Sequence, residues 1–365
     1  MQSMDLNPQQ NYFSQLLARR RPLVIAGPCS AESESQVLET AFALKQSGID
    51  LYRAGIWKPR SKPNTFEGIG EIGLQWLKRV QMEAGLPVSV EVATPQHIEL
   101  ALRYGINVLW IGARTTVNPF AVQELAEALR GVDVPVMVKN PVNPDLALWA
   151  GALERFYNMG IRSLAVIHRG FSVLGESRYR NSPIWQIPIE LKTRYKNLPI
   201  IVDPSHIGGR RDLILPLTQQ GLDLDYDGMM IEVHPNPAVA LSDAEQQLTP
   251  AAFTEVLARL QVRTANCPNR EFLNRAEELR EKIDAADRDI LEMLARRMAL
   301  VGKIGEYKKQ NNVTILQVDR WNEIFKSRPE WAAKMGMNKD FVAELYKLIH
   351  LESIRKQTEI MERGE

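Results

Sequence analysis

Four residues of mixed ligand character stand at or just beyond the ends of apolar runs: Cys29, His206, Glu232 and Asp243. A thiolate, an imidazole and two carboxylates together suit Mn, Fe, Co or Zn and disfavour Mg or Ca. Each would be unremarkable alone, because an isolated buried cysteine usually behaves as a small hydrophobe. A second group is cationic. Lys58 and Arg60 lie in the loop KPRS (58–61), Arg53 stands just before it, and Arg114, Lys139 and Arg169 close later apolar runs. Guanidinium forks pair with phosphate or carboxylate in bidentate fashion, which a point charge cannot copy. Six cations exceed the need of one monophosphate, and point to two anionic substrates, one bearing both phosphate and carboxylate. The competing reading pairs some of them with neighbouring carboxylates.

The elements that must gather these residues are short. Apolar, β-branched runs recur at 23–29, 51–56, 87–93, 108–113, 135–140, 163–169, 200–206 and 228–235. They are continuous rather than alternating, as strands buried on both faces should be. Helix-period segments such as 36–48, 96–105 and 120–131 lie between them and close on glycine. Eight strand–helix alternations predict a (β/α)8 barrel over residues 1–262. Active sites of such barrels form at the C-terminal ends of the strands. There the sequence places Cys29, Arg53, Lys58, Glu91, Arg114, Lys139, His168, Arg169, His206 and Glu232. Strands 1, 7 and 8 are neighbours in a closed barrel, so Cys29, His206 and Glu232 converge, with Asp243 on the following loop.

Beyond a linker at 263–270 the pattern becomes purely helical over 271–365. One helix is expected from about 271 to 309, ended by Asn311-Asn312, with shorter ones near 318–327 and 340–361. Leu279, Ile283, Ala286, Ile290, Leu294, Val301 and Ile304 form one apolar stripe on the first. A long helix with a bare stripe needs a partner, which predicts a homodimer through this domain. Arg297 and Lys308 sit on the stripe and Arg280 flanks its start. An uncompensated buried cation costs several kcal/mol, so these should face an anion unless their stems snorkel to water.

Composition narrows the class. Among 365 residues, 45 Lys plus Arg balance 44 Asp plus Glu, which gives no reason to expect nucleic acid or an anionic membrane as partner. The run Arg19-Arg20-Arg21 reads as a solvated patch. Two distant cysteines, Cys29 and Cys267, argue against a disulfide framework and for a reducing compartment. The polar start lacks a signal-peptide core and no run approaches membrane-spanning length, so a soluble cytoplasmic protein is expected. GIGEIG (68–73) matches a dinucleotide fingerprint in letters only, since a loop containing Pro59 and Pro63 separates it from strand 2.

GPCS (27–30), RAGIWKPRS (53–61), IGAR (111–114), HRG (168–170), DPSH (203–206), IEVHP (231–235) and LSDAEQQL (241–248) together resemble the short form of 3-deoxy-D-arabino-heptulosonate-7-phosphate (DAHP) synthase. The resemblance spans nearly all of residues 20–262. It implies condensation of phosphoenolpyruvate with erythrose 4-phosphate, with Cys29, His206, Glu232 and Asp243 holding one divalent metal ion. Arg53, Lys58, Arg114, Lys139 and Arg169 resemble the phosphoenolpyruvate site; Lys58, Pro59, Arg60 and Ser61 resemble the erythrose 4-phosphate grip. The related 3-deoxy-octulosonate 8-phosphate synthases typically show a KANRS-like loop where this chain has KPRS, which favours the four-carbon aldehyde. With only about 20 residues before strand 1, no separate N-terminal regulatory domain is expected.

LREKID (279–284), ARRMALVGKIGEYK (295–308), DR (319–320) and ESIRKQ (352–357) resemble the all-helical chorismate mutases over residues 271–361. That resemblance implies Arg280, Arg297 and Arg320 as carboxylate grips. Lys308 and Gln357 would serve the ether oxygen and Ser353 the pocket wall, with Arg280 serving the pocket of a second copy. Gln317 and Trp321 depart from the Asp and Glu that many relatives carry near the substrate hydroxyl. The alternative is a module that mainly dimerises and senses prephenate or chorismate on behalf of the barrel.

Overall fold

A computed structural model of the chain describes residues 4, 6–58, 66–175, 177–264 and 267–362. They divide into two compact units, residues 1–265 and 266–365. In the first, eight parallel strands close a barrel in sequence order, β8 pairing back onto β1. The strands are β1 (Leu23–Gly27), β2 (Leu51–Arg53), β3 (Val88–Val92), β4 (Val108–Ile111), β5 (Val136–Lys139), β6 (Leu164–His168), β7 (Ile200–Val202) and β8 (Gly228–Glu232). Each is shorter than its apolar run, because pairing stops where the polar end turns into a loop. The crossover helices start slightly earlier than their periodicity suggests, at side-chain caps: Ser33 before Glu34–Gln46, Thr94 before Pro95–Arg103 and Asn118 before Pro119–Ala128.

Alternation along each strand sorts the side chains. Leu23, Ile25, Leu51, Trp110, Met137, Ile167, Ile201 and Met230 fill the barrel interior. Their neighbours, such as Val24, Val90, Val138 and Val166, pack under the helices. Both faces are buried, which is why the strands read as unbroken apolar runs. The N-terminal end of the barrel is closed by the helix Tyr12–Arg19, which inserts fully buried Phe13 into the interior cluster. Asn11 anchors it, accepting from the Phe13 N–H and donating to the Leu164 carbonyl at 2.8 Å.

The same parity decides which strand-end residues reach the mouth. Arg53, Lys139, Asp203 and Glu232 lie two residues beyond the inward Leu51, Met137, Ile201 and Met230. His168, expected among the mouth residues, falls on the other parity and is fully buried toward the helices. Its Nε2 donates to the Pro183 carbonyl at 2.7 Å and its Nδ1 accepts from the Tyr226 hydroxyl at 3.1 Å. Burial lowers its pKa to about 3. It is a structural histidine. Arg20 and Arg21 are spent at the opposite end, on the Gly48 carbonyl and on Asp225.

The second unit contains the helices Arg270–Gln310, Val318–Lys334 and Lys339–Glu362. The middle helix runs through Pro329, beyond its expected end at 327. Proline removes one ladder hydrogen bond. Burial of Ala332 and the stacking of Arg328 on the Trp331 ring at 4.4 Å offset that loss. Within one chain, Leu279, Ile283 and Ile290 are 45%, 58% and 57% exposed, so the N-terminal part of the stripe on the long helix is bare, while Leu294 and Val301 are half-buried. No helix among the described residues is long and apolar enough to cross a membrane.

Candidate active sites

At the C-terminal end of the barrel, Cys29 Sγ and carboxylate oxygens of Glu232 and Asp243 lie within 4.8 Å of one another. His206 Nε2 stands 3.7 Å from Glu232 Oε1. Local geometry explains the gathering. Gly27 has φ +149°, and a Cβ there would lie 2.0 Å from the Arg53 carbonyl oxygen, so only glycine lets β1 deliver Cys29 this close to β2. Asp203 directly follows β7, N-caps the short helix Pro204–Gly208 and meets His206 Nδ1 at 3.0 Å, which turns Nε2 toward Glu232. Glu232 is held on Oε1 by Arg53 at 3.0 Å and on Oε2 by Gln246 at 2.7 Å. Asp243 adopts φ +48°, uncommon outside glycine, with Arg180 donating to its Oδ1 at 3.0 Å.

His206, Glu232 and Asp243 are thus each oriented by a second group, the arrangement metal ligands use. The donors fit a divalent cation of borderline softness. Burial pushes the Cys29 thiol up to about 12, helped by the Glu232 charge and opposed by Lys58, whose Nζ lies 3.2 Å from the sulfur. Burial also disfavours charge on Asp203 and Asp243. For Asp203 the charges of His206 and Lys139 prevail, for Asp243 those of His206 and Arg180, and both stay below the usual carboxylate range.

Beside this cluster opens a cavity of about 300 Å³, lined by Lys58, Arg114, Lys139, Arg169, Arg180 and Glu91, with His206 and Asp243 on one side. Lys139 pairs with Asp203 at 2.9 Å. Arg169 bonds Asn181 Oδ1 at 2.6 Å, and burial lowers its guanidinium to about 10, with Arg180 and Arg114 adding repulsion. Four of the five cations assigned to phosphoenolpyruvate therefore line one cavity. Arg53 does not line it. It lies fully buried behind, bonded to Glu232 and the Cys29 carbonyl, 5.0 Å from the Trp110 ring centre, with its Nε unpartnered among the described residues. Pro59, Arg60 and Ser61 lie outside the described residues.

Three residues of this site received no role from the sequence. Glu91 accepts from Trp110 Nε1 at 3.1 Å, and a Cβ on Gly112 would lie 2.0 Å from its Oε1. Its position at the end of β3 was a signal; so was Asp203 inside DPSH. Arg180 comes from a long loop with no periodic pattern to mark it.

The helical unit holds a second cavity, of about 400 Å³. Arg297, Lys308, Arg320, Ser353 and Gln357 all line it. Arg297 donates to Ser353 Oγ at 2.7 Å, Lys308 to the Ile315 carbonyl, and Gln357 to the Ser353 carbonyl at 3.2 Å. Burial lowers the Arg297 pKa; Tyr346 opposes the shift, and Arg328 and Arg320 reinforce it. Arg280 is not there: it is exposed and, among the described residues, pairs with Glu277 at 3.4 Å. Arg328, Trp331, Tyr346 and His350 complete the wall and were not singled out from the sequence.

A (β/α)8 barrel whose strand ends set a polycationic cavity against a thiol–imidazole–carboxylate cluster defines an enzyme acting on multiply anionic substrates. The chain belongs to the DAHP synthetase I family, whose model matches residues 18–266, and residues 279–358 match the family described as chorismate mutase type II. A phospho-2-dehydro-3-deoxyheptonate aldolase of Thermotoga maritima is 32% identical over 65% of this chain and 68% of its own length. A 2-dehydro-3-deoxyphosphooctonate aldolase of Vesicomyosocius okutanii is 26% identical over 68% of this chain and 93% of its own. A crystal structure of the Thermotoga maritima DAHP synthase, 32% identical, superposes with a TM-score of 0.58, covering 64% of this chain and 66% of that one. A truncated form of the Thermotoga enzyme, 30% identical, gives 0.57 with 64% and 83% covered.

Proposed function

We propose that the barrel condenses phosphoenolpyruvate with erythrose 4-phosphate to DAHP and phosphate, and that the helical unit rearranges chorismate to prephenate. The observation that carries the first reaction is the polycationic cavity set directly against Cys29, His206, Glu232 and Asp243. Those four residues would hold one divalent ion, Mn, Fe, Co or Zn, which supplies Lewis-acid polarisation of the aldehyde oxygen when bound. Lys58, Arg114, Lys139 and Arg169 fix phosphoenolpyruvate with C3 aimed at the aldehyde carbon. Arg53 keeps the Glu232 carboxylate aligned from behind. Water then adds at C2 and phosphate departs. Much of the barrier reduction comes from positioning. Lys58 and the loop residues Pro59, Arg60 and Ser61 would grip erythrose 4-phosphate.

A Claisen rearrangement requires no nucleophile, only a dianion held in its reactive shape with charge stabilised at the ether oxygen. Arg297 and Arg320 are suited to the carboxylates, Lys308 and Gln357 to the ether oxygen, and Ser353 to fixing Arg297. The bare stripe on the long helix supports a homodimer in which Arg280 of a second copy completes the pocket. The family match over 279–358 favours this over a module that only dimerises and senses. We assign residues 1–262 to the synthase, 263–270 to a linker and 271–365 to the mutase, in a cytoplasmic protein.

The test is phosphate release from the two substrates, with EDTA and then with added Mn, beside chorismate loss in the same preparation. Metal-dependent release with chorismate loss is expected. Release that survives chelation would refute the role of Cys29, and inert chorismate would refute the mutase.

A further inference from the structure

Among the described residues the helical pocket is lined by four cations, Arg297, Lys308, Arg320 and Arg328, and by no carboxylate. Cations of that number answer the charged ends of a dianion. They do not explain His350. Its ring lines the same cavity, packed edge-to-face on Trp321 with centroids 4.0 Å apart. Its Nε2 is buried and has no hydrogen-bond partner among the described residues. A buried unpaired polar atom is costly and calls for an explanation, a functional role among them. Gln317 also lines the pocket, but it is exposed.

Burial, with the positive charges of Arg297 and Lys308, lowers the His350 pKa and favours the neutral ring. A neutral imidazole is poorly suited to a carboxylate flanked by guanidinium groups. It is well suited to a hydroxyl, which can donate to a ring nitrogen or accept from one, so either tautomer serves.

Resting on the mutase reading, we propose that His350 Nε2 hydrogen-bonds the ring hydroxyl of the substrate and makes this pocket selective for the hydroxylated dianion. Trp321 holds the imidazole ring in place for that contact. His350 is thereby a specificity residue, separate from the cations that grip the carboxylates.

The experiment compares kcat/KM for chorismate and for an analogue lacking the ring hydroxyl, using the full chain and its His350→Phe and His350→Gln variants. Phe keeps a ring against Trp321 but offers no nitrogen; Gln retains a hydrogen-bonding end. The preference for chorismate should fall about tenfold in His350→Phe, the size expected for losing one buried hydrogen bond. It should be largely kept in His350→Gln. Melting curves identify the variants that remain folded, and the preference ratio is read on those. A merely structural histidine lowers both substrates together and leaves the ratio unchanged, which overturns the proposal while the mutase reading stands. If the unmodified chain turns over neither compound, both fall.

Discussion

At the scale of single residues, the barrel site depends on groups that touch no substrate. Asp203 orients His206 through Nδ1 and neutralises Lys139, so one substitution disturbs a candidate ligand and a candidate substrate grip. Asp203→Asn should weaken Mn binding by about 10- to 100-fold, the usual effect of losing such a supporting partner. Calorimetric titration of the chelated protein would measure this. His168 makes a different prediction. Its pKa is lowered from 6.5 to about 3 by burial. Between those values the unfolded chain binds a proton that the folded barrel refuses. The stability is therefore present above pH 6.5 and lost as pH falls toward 3. The slope is about 1.4 kcal/mol per pH unit within that window. Urea midpoints between pH 7 and pH 5 should fall more steeply for the parent than for His168→Gln; parallel curves would contradict the assignment.

At the scale of elements, the helix Tyr12–Arg19 and the strand ends do separate work at opposite ends of one barrel. Phe13 fills the N-terminal end, remote from the cations. Phe13→Ala should cost about 3–5 kcal/mol through the cavity it leaves. At temperatures where the variant stays folded, the rate of phosphate release should be unchanged. Gly112 reverses that pattern. A side chain there would collide with Glu91 at the mouth, so Gly112→Ala should lower the rate by tenfold or more while shifting the melting temperature little. Paired kinetics and calorimetry on the two variants separate the stabilising end from the catalytic one.

At the scale of the whole molecule, the bare stripe and the exposed Arg280 point to the same requirement. A second copy would cover Leu279, Ile283 and Ile290, and would receive Arg280 in its pocket. Ile283→Glu with Ile290→Glu should therefore convert a dimer to a monomer in sedimentation equilibrium and abolish chorismate turnover. Metal-dependent phosphate release should persist, because every candidate residue for it lies in the barrel. A variant that stays dimeric, or a monomer that keeps full mutase rate, would refute this assembly.

The barrel and the helical unit were legible in the sequence because burial on both strand faces and burial on one helix face leave different periodicities. Most of the charged residues that line the barrel cavity were legible too: cations and ligands that close apolar runs have few packing explanations. What tertiary structure decided was direction. Parity sent His168 outward and Lys139 inward although both end apolar runs. Arg53 was committed to Glu232 behind the cavity wall, a choice made by a strand far away in sequence. Arg180 reached Asp243 from a loop without a periodic pattern, and His350 packs edge-to-face on Trp321 with its Nε2 unpartnered among the described residues. The helix through Pro329 likewise rests on neighbours that cover Ala332. Local sequence dictates which elements form, through covalent geometry and solvent preference. Which atoms meet is decided by long-range packing, whose partners no local pattern encodes.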